Sequence, residues 1–139
     1  MTCIFCEIVA GRAPASVVYE DDDVMAFMDL IPVTEGHLLV IPRAHYRNIF
    51  DVPPDLAARV MEIGARLAPA LREATGCAGM NFWVANEPVA GQEVWHLHLH
   101  LIPRYAGDGF GVRFPPDYGP MASRPALDGM AARIREKLA

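Results

Sequence analysis

A chain of 139 residues is long enough to bury one core and too short for two domains of ordinary size. Its 53% hydrophobic and 21% charged residues are the balance of a folded protein, which excludes a disordered tail. Twelve Lys plus Arg stand against 17 Asp plus Glu, a net charge of -5 with the basic residues scattered, which excludes long nucleic acid as the main partner. A small anion held by a few backbone N–H groups and imidazoles is still compatible with that charge.

Cys3 to Ala10 reads as a short apolar helix or turn ended by Gly11 and Pro14, and Val17 to Glu20 as extended chain. Asp21-Asp22-Asp23 reads as a solvated hairpin turn in preference to a metal site, because Asp favours such turns. Val24 to Leu30 and His37 to Ile41 have strand composition and are expected to be antiparallel neighbours. Asp51-Val52-Pro53-Pro54 is a helix-start signal, and Leu56, Val60, Ile63, Leu67 and Leu71 follow at steps of three and four up to a stop at Gly76. Met80 to Ala85 and Val94 to Ile102 read as two more strands, joined by a loop over residues 86–93. Residues 105–124 are rich in Gly and Pro and read as irregular, and Ala126 to Leu138 as an amphipathic helix.

The sum is an α+β fold: a five-stranded antiparallel sheet with one long helix and a C-terminal helix. It forms one domain over residues 1–139, with its core in 1–104 and an irregular segment plus helix in 105–139. The segment Met1 to Gly11 has no basic leader region, and no stretch approaches the roughly 20 apolar residues of a membrane span, so the reading is a cytosolic protein with no membrane partner. Cys77 reads as a packing residue.

The chemistry concentrates in His96-Leu97-His98-Leu99-His100. On a strand successive side chains face opposite ways, so the three histidines share one face and the leucines the other, with same-face neighbours about 7 Å apart. The leucine face is expected to be buried and the histidine face to look into something polar. A lone His is most often a hydrogen-bonded structural residue, but three at strict alternation call for a function. One reading is a metal site on all three imidazoles. The other makes the central imidazole a nucleophile toward phosphorus, since it is neutral near pH 7 and a good leaving group afterwards. Asn86 and the Gly91-Gln92-Glu93-Val94 segment just upstream can present an amide and backbone N–H groups to a phosphate, which favours the second.

The sequence resembles the histidine triad (HIT) family in Gly91-Gln92-x-Val94-x-His96-Leu97-His98-Leu99-His100-Leu101-Ile102-Pro103-Arg104. The resemblance extends through Gly36-His37-Leu38-Leu39-Val40-Ile41-Pro42-Arg43-x-His45, Cys3-Ile4-Phe5-Cys6-x-Ile8 and residues 107–111. It implies a homodimer whose sheets join, and attack at the α-phosphate of a purine nucleoside phosphoramidate or dinucleoside polyphosphate. His98 would be the nucleophile that forms a nucleotidyl-histidine, His100 the donor to phosphate oxygens, and His37 the residue orienting the cluster. Asp29 would hold the ribose hydroxyls; Asn86, Gln92, Glu93, Val94 and His100 would surround the phosphate; Ile4, Phe5, Ile8, Phe27 and Leu30 would line the base pocket. Many members carry Ser or Thr where this chain has Glu93.

Cys3-x-x-Cys6 has the spacing with which two thiolates grip one tetrahedral zinc, and it lacks the βαβ context of a redox motif. The resemblance implies His45 and His96 as the other two ligands. Zinc would then be structural, pinning the N-terminal segment to the sheet. The readings carried forward are therefore a nucleotide hydrolase or nucleotidyl transferase acting through His98, and a purine nucleotide-binding or sensor module in which turnover is incidental.

Overall fold

The computed structural model describes residues 2–138. In chain order the elements are α1 (Ile4–Val9), β1 (Val17–Glu20), β2 (Val24–Met28), β3 (Leu38–Pro42), α2 (Pro54–Thr75), β4 (Gly79–Trp83), β5 (Leu99–Arg104) and α3 (Arg124–Leu138), with a 3₁₀ turn at Pro88–Ala90. The strands form one five-stranded sheet in the order β1-β2-β3-β5-β4, every pairing antiparallel. This is the expected α+β architecture.

Alternation along β2 and β3 sends side chains to two different cores. Val24, Ala26, Leu38 and Val40, with Leu99 and Leu101 of β5, face α2 and pack on Val60, Ile63 and Leu71. Met25, Phe27, Leu39 and Ile41 face the other way and pack on Phe5 of α1. Each Leu or Ile so buried contributes about 1.5–3 kcal/mol relative to exposure. The long helix keeps the predicted spacing, starts after Pro53 and stops at Gly76 in the left-handed region (φ 68°). Gly64 lets α2 approach the sheet closely, since a Cβ there would lie 2.8 Å from the Leu99 side chain. The Asp21 turn is also as expected: its carboxylate accepts from the N–H groups of Asp23 and Val24.

Several boundaries differ from expectation, most by one or two residues. β2 ends at Met28 and β4 at Trp83, while α3 begins at Arg124 and buries none of its residues. The most consequential difference is that β5 begins at Leu99 and not at Val94. Before it, Leu97 gives its N–H to the Tyr46 carbonyl instead of a ladder partner, so His96 and His98 stand on a bent approach to the strand. The chain divides into two compact units, one reaching Gly109 and one starting at Phe110. No helix among the described residues is long and apolar enough to cross a membrane.

Candidate active site and metal centre

The triad lies on the α1 side of the sheet, and that face is covered. His96 is fully buried and His98 only 7% exposed, both beneath Phe5, whose ring meets theirs edge-on at 5.8 and 5.2 Å. The expected polar opening is thus narrowed by an apolar lid, because α1 supplies Phe5 to the face that also carries Phe27 and Ile41. The His98 and His100 rings also lean toward each other, and their centroids lie 4.8 Å apart.

Proton positions follow from fixed backbone groups. His98 Nδ1 donates to the His96 carbonyl at 2.7 Å, so in the neutral ring Nε2 holds a bare lone pair. That atom has no hydrogen-bond partner among the described residues, and no fully buried side-chain N or O among them lacks one, so Nε2 keeps some exposure to solvent. Burial pushes the His98 pKa down, which keeps the ring neutral and nucleophilic near pH 7.

At His37 the backbone donates instead. The Val33 N–H meets Nδ1 at 3.0 Å, which places the ring proton on Nε2, 2.9 Å from His100 Nδ1. His100 Nδ1 accepts that hydrogen bond, so the ring's own proton must sit on Nε2, where it is a donor. Burial, with His98 and His37 nearby, lowers the His100 pKa to about 4, so this donor is a neutral imidazole. Asp29 Oδ2 lies 3.4 Å from His37 Nε2, and its Oδ1 accepts from the Ile31 N–H. Asp29, His37 and His100 also converge closely enough for an ion. Their tautomers are already set by the Val33 N–H, however, which makes them a hydrogen-bond relay.

A second cluster joins Cys3, Cys6, His45 and His96. His96 Nε2 donates to the Pro42 carbonyl at 2.8 Å, so Nδ1 turns its lone pair inward. It lies 3.4 Å from Cys3 Sγ, 3.6 Å from Cys6 Sγ and 3.2 Å from His45 Nδ1, and Cys6 Sγ lies 3.4 Å from His45 Nδ1. Bonds of 2.0–2.3 Å to a tetrahedral ion place ligand atoms about 3.3–3.8 Å apart, so these donors fit zinc. The donor chemistry agrees: burial, then the neighbouring Cys3, pushes the Cys6 thiol pKa up, and a cation would relieve both effects. Zinc on all three triad histidines is ruled out by the geometry, since His96 belongs to this cluster and His100 to the relay, and His98 to neither.

Residues 10–107 match the family model described as the HIT domain. The chain belongs to the HIT family. A curated relative, Protein hit of Bacillus subtilis, is 40% identical over 136 residues, 95% of this chain and 94% of that protein. Among solved structures, a Zn-bound histidine triad family protein from Mycobacterium smegmatis is 42% identical with a TM-score of 0.76, covering 84% of this chain and 85% of that one. A histidine triad nucleotide-binding protein from Candida albicans is 28% identical with a TM-score of 0.87, covering 99% and 97%. The family is of the nucleotide-binding hydrolase and transferase kind.

Within the HIT frame the other expected contacts sort by exposure. Phe5 and Phe27 are buried edge to face at 5.4 Å, Ile8 packs beside them, Ile4 is half exposed and Leu30 is 95% exposed. Glu93 is exposed and Val94 half-buried. Asn86 spends its oxygen on the Ile49 N–H. Gln92 departs from expectation, because its amide is fully used within the protein. Its oxygen accepts from Asn48 Nδ2 and the Glu87 N–H, and its nitrogen donates to the Arg47 and Val94 carbonyls. It therefore shapes the loop and has no group left for a phosphate.

Sequence reasoning missed the partners of that glutamine. Buried Asn48 bridges Gln92 and Glu87, Arg47 pairs with Glu87 and stacks over Trp95 at 4.4 Å, and Glu87 takes a positive φ of 77°. These residues lie about 40 positions apart with no periodicity, so only the Asn-Glu-Pro turn signal at 86–88 hinted at a special backbone.

Proposed function

We propose that this protein is a nucleotide hydrolase or nucleotidyl transferase that attacks the α-phosphorus of a purine nucleoside phosphoramidate or dinucleoside polyphosphate through His98. One observation carries the reading: the His98 proton is pinned on Nδ1 by the His96 carbonyl, which leaves Nε2 bare, without a partner among the described residues and not fully buried. In the first step Nε2 bonds to phosphorus while the P–N or P–O bond to the leaving group breaks and the electron pair departs with that group, which takes up a proton from solvent; the water of the second step returns one. Water then attacks phosphorus, releases the nucleoside monophosphate and restores the free imidazole. The Nε2–H of His100 supports the phosphate oxygens where charge grows, and Asp29, beside His37, binds the ribose. The backbone N–H groups of Glu93 and Val94, which donate to no acceptor among the described residues, complete the phosphate cradle. Purine binding is supported by the resemblance and by the nucleotide-binding name of the Candida albicans neighbour.

The Cys3, Cys6, His45 and His96 cluster holds structural zinc in this reading, supported by its spacing and by the Zn-bound relative. The working unit is a cytosolic homodimer of one HIT domain. A joined sheet would use β4, an edge strand paired only with β5, whose Phe82 and Trp83 are 37% and 42% exposed.

The test is AMP release from adenosine 5′-phosphoramidate, with mass analysis of quenched protein for an adenylyl adduct. His98→Ala is expected to abolish both signals while the fold persists. Wild-type protein that binds AMP but never carries an adduct would make it a binding module and overturn the hydrolase reading.

A further inference from the structure

The loop over residues 29–37 joins β2 to β3, with Asp29 at its start and His37 at its end. Its own bonds fix its shape: the Asp29 N–H donates to the His37 carbonyl at 3.0 Å, and the Val33 N–H to His37 Nδ1 at 3.0 Å. Packing does not hold its tip, where Leu30 and Ile31 are 95% and 83% exposed. Its seat is the far end of β5. The β3–β5 ladder runs only from Leu38 to Val40, opposite Leu101 to Leu99, and ahead of Leu38 the loop meets β5 through side chains. The Thr34 hydroxyl donates to the Pro103 carbonyl at 2.6 Å, and the Tyr105 hydroxyl donates to the Glu35 carbonyl at 2.7 Å. Together with the bond from His37 Nε2 to His100 Nδ1, these join the loop to β5 and its exit at His100, Pro103 and Tyr105.

We propose that the hydroxyls of Thr34 and Tyr105 form a brace that sets the seat of the 29–37 loop on β5, and with it the reach of Asp29 toward the ribose hydroxyls of a bound nucleotide. Both are positioning residues: neither touches the nucleotide, and each acts through a hydrogen bond between the loop and the end of β5. The inference deepens the reading above and rests on Asp29 binding the ribose.

The brace is itself anchored. The Tyr105 N–H donates to Asp108 Oδ2 at 3.0 Å, and the same carboxylate takes a two-point bond from Arg104 at 2.8 and 2.9 Å. The third guanidinium nitrogen, Nη1, donates to Asn81 Oδ1 on β4 at 2.7 Å, so the Tyr105 hydroxyl hangs from a backbone tied to the sheet. On the loop side Gly36 permits the close approach: at φ 91° a Cβ there would lie 2.6 Å from Thr75 Cγ2 and 3.2 Å from Pro103 Cγ. A carboxylate recognises ribose by accepting from its hydroxyls, and such bonds weaken steeply once distance or angle is lost. A binding group must be held to within about 0.5 Å to keep them. The Glu93 and Val94 N–H groups sit on a different loop, so loosening the brace should cost ribose recognition and spare the phosphate.

The measurement is the calorimetric affinity of the full chain for AMP and for 2′-deoxy-AMP, in wild type and in Thr34→Val and Tyr105→Phe, each of which removes one hydroxyl and little else. Wild type is expected to prefer AMP. Each variant should lose about threefold to tenfold of that preference, the weight of one hydrogen bond, through weaker AMP binding with 2′-deoxy-AMP affinity unchanged. Thr34→Ser keeps a hydroxyl and should keep the preference. Variants that melt earlier yet retain the wild-type preference would reduce the two hydroxyls to general support of the fold and overturn the proposal. Equal losses for the two nucleotides would overturn it as well. Should one variant fail to fold, the other decides. Wild-type protein that binds both nucleotides alike would remove the ribose role of Asp29 and this proposal with it, whereas retained preference in the variants removes the proposal alone. Both affinities are read without any reaction, so the hydrolase reading through His98 stands or falls separately.

Discussion

The two clusters that flank His98 use the same side chain for opposite purposes. In Cys3, Cys6, His45 and His96, a backbone carbonyl, that of Pro42, takes the outer proton of His96 and turns a lone pair inward. In Asp29, His37 and His100, a backbone N–H, that of Val33, takes the outer lone pair of His37 and sends a proton inward along the relay. Whether an imidazole binds a cation or hands on a proton is decided by the main-chain group at its far nitrogen. Residue type alone does not distinguish the two.

The largest effect that sharpens this contrast is expected from His100→Ala. Losing a positioned donor to developing phosphate charge should lower kcat about a hundredfold to a thousandfold, with zinc content unchanged by metal analysis. His45→Ala should do the reverse: zinc per chain falls toward none in protein purified without chelator, while turnover drops by about tenfold to a hundredfold. Equal loss of zinc in both variants would dissolve the distinction between the clusters.

An intermediate effect comes from pH. The His100 pKa is lowered to about 4 in the fold, against about 6.5 when unfolded. The unfolded chain therefore binds more protons between these values. The stability contributed by neutral His100 is complete above about pH 6.5 and is lost as pH falls through about 4, on the order of 1–2 kcal/mol between pH 7 and 5. Denaturant unfolding of His100→Asn across that range should show a shallower pH dependence than wild type. Identical slopes would mean that His100 is not held neutral by the fold.

These contrasts mark how far the sequence could be read. The α2 side was legible because its signals are local: Val60, Ile63 and Leu71 recur at helical steps, and β2 and β3 are unbroken apolar runs. The identity of the donors was legible through Cys3-x-x-Cys6 and the triad once their resemblance was used. The bend before Leu99 was not, because it depends on a single bond from the Leu97 N–H to Tyr46, some 50 residues away. The partners of Gln92 were hidden for a related reason. An amide beside a glycine suits a phosphate as well as it suits Asn48 and Glu87, and only the folded loop brings those two to it. Tautomers were illegible in principle, since the Val33 and Pro42 backbone groups that fix them carry no side-chain signature.

The smallest effect should come from Glu93, and its smallness is informative. Many relatives place a Ser or Thr hydroxyl at this position, and a carboxylic acid there could in principle protonate the leaving group. In this chain Glu93 is exposed, with no hydrogen bond or ion pair to another described residue, so no contact holds its carboxyl in the fixed position a general acid requires. Glu93→Gln should leave kcat within about twofold, the ±0.5 kcal/mol range of a surface substitution, and should leave the pH profile unmoved. If kcat instead fell steeply and the alkaline limb of the profile disappeared, the proton would come from Glu93. A residue outside both clusters would then share in the chemistry, and the contrast between the two would need a third participant.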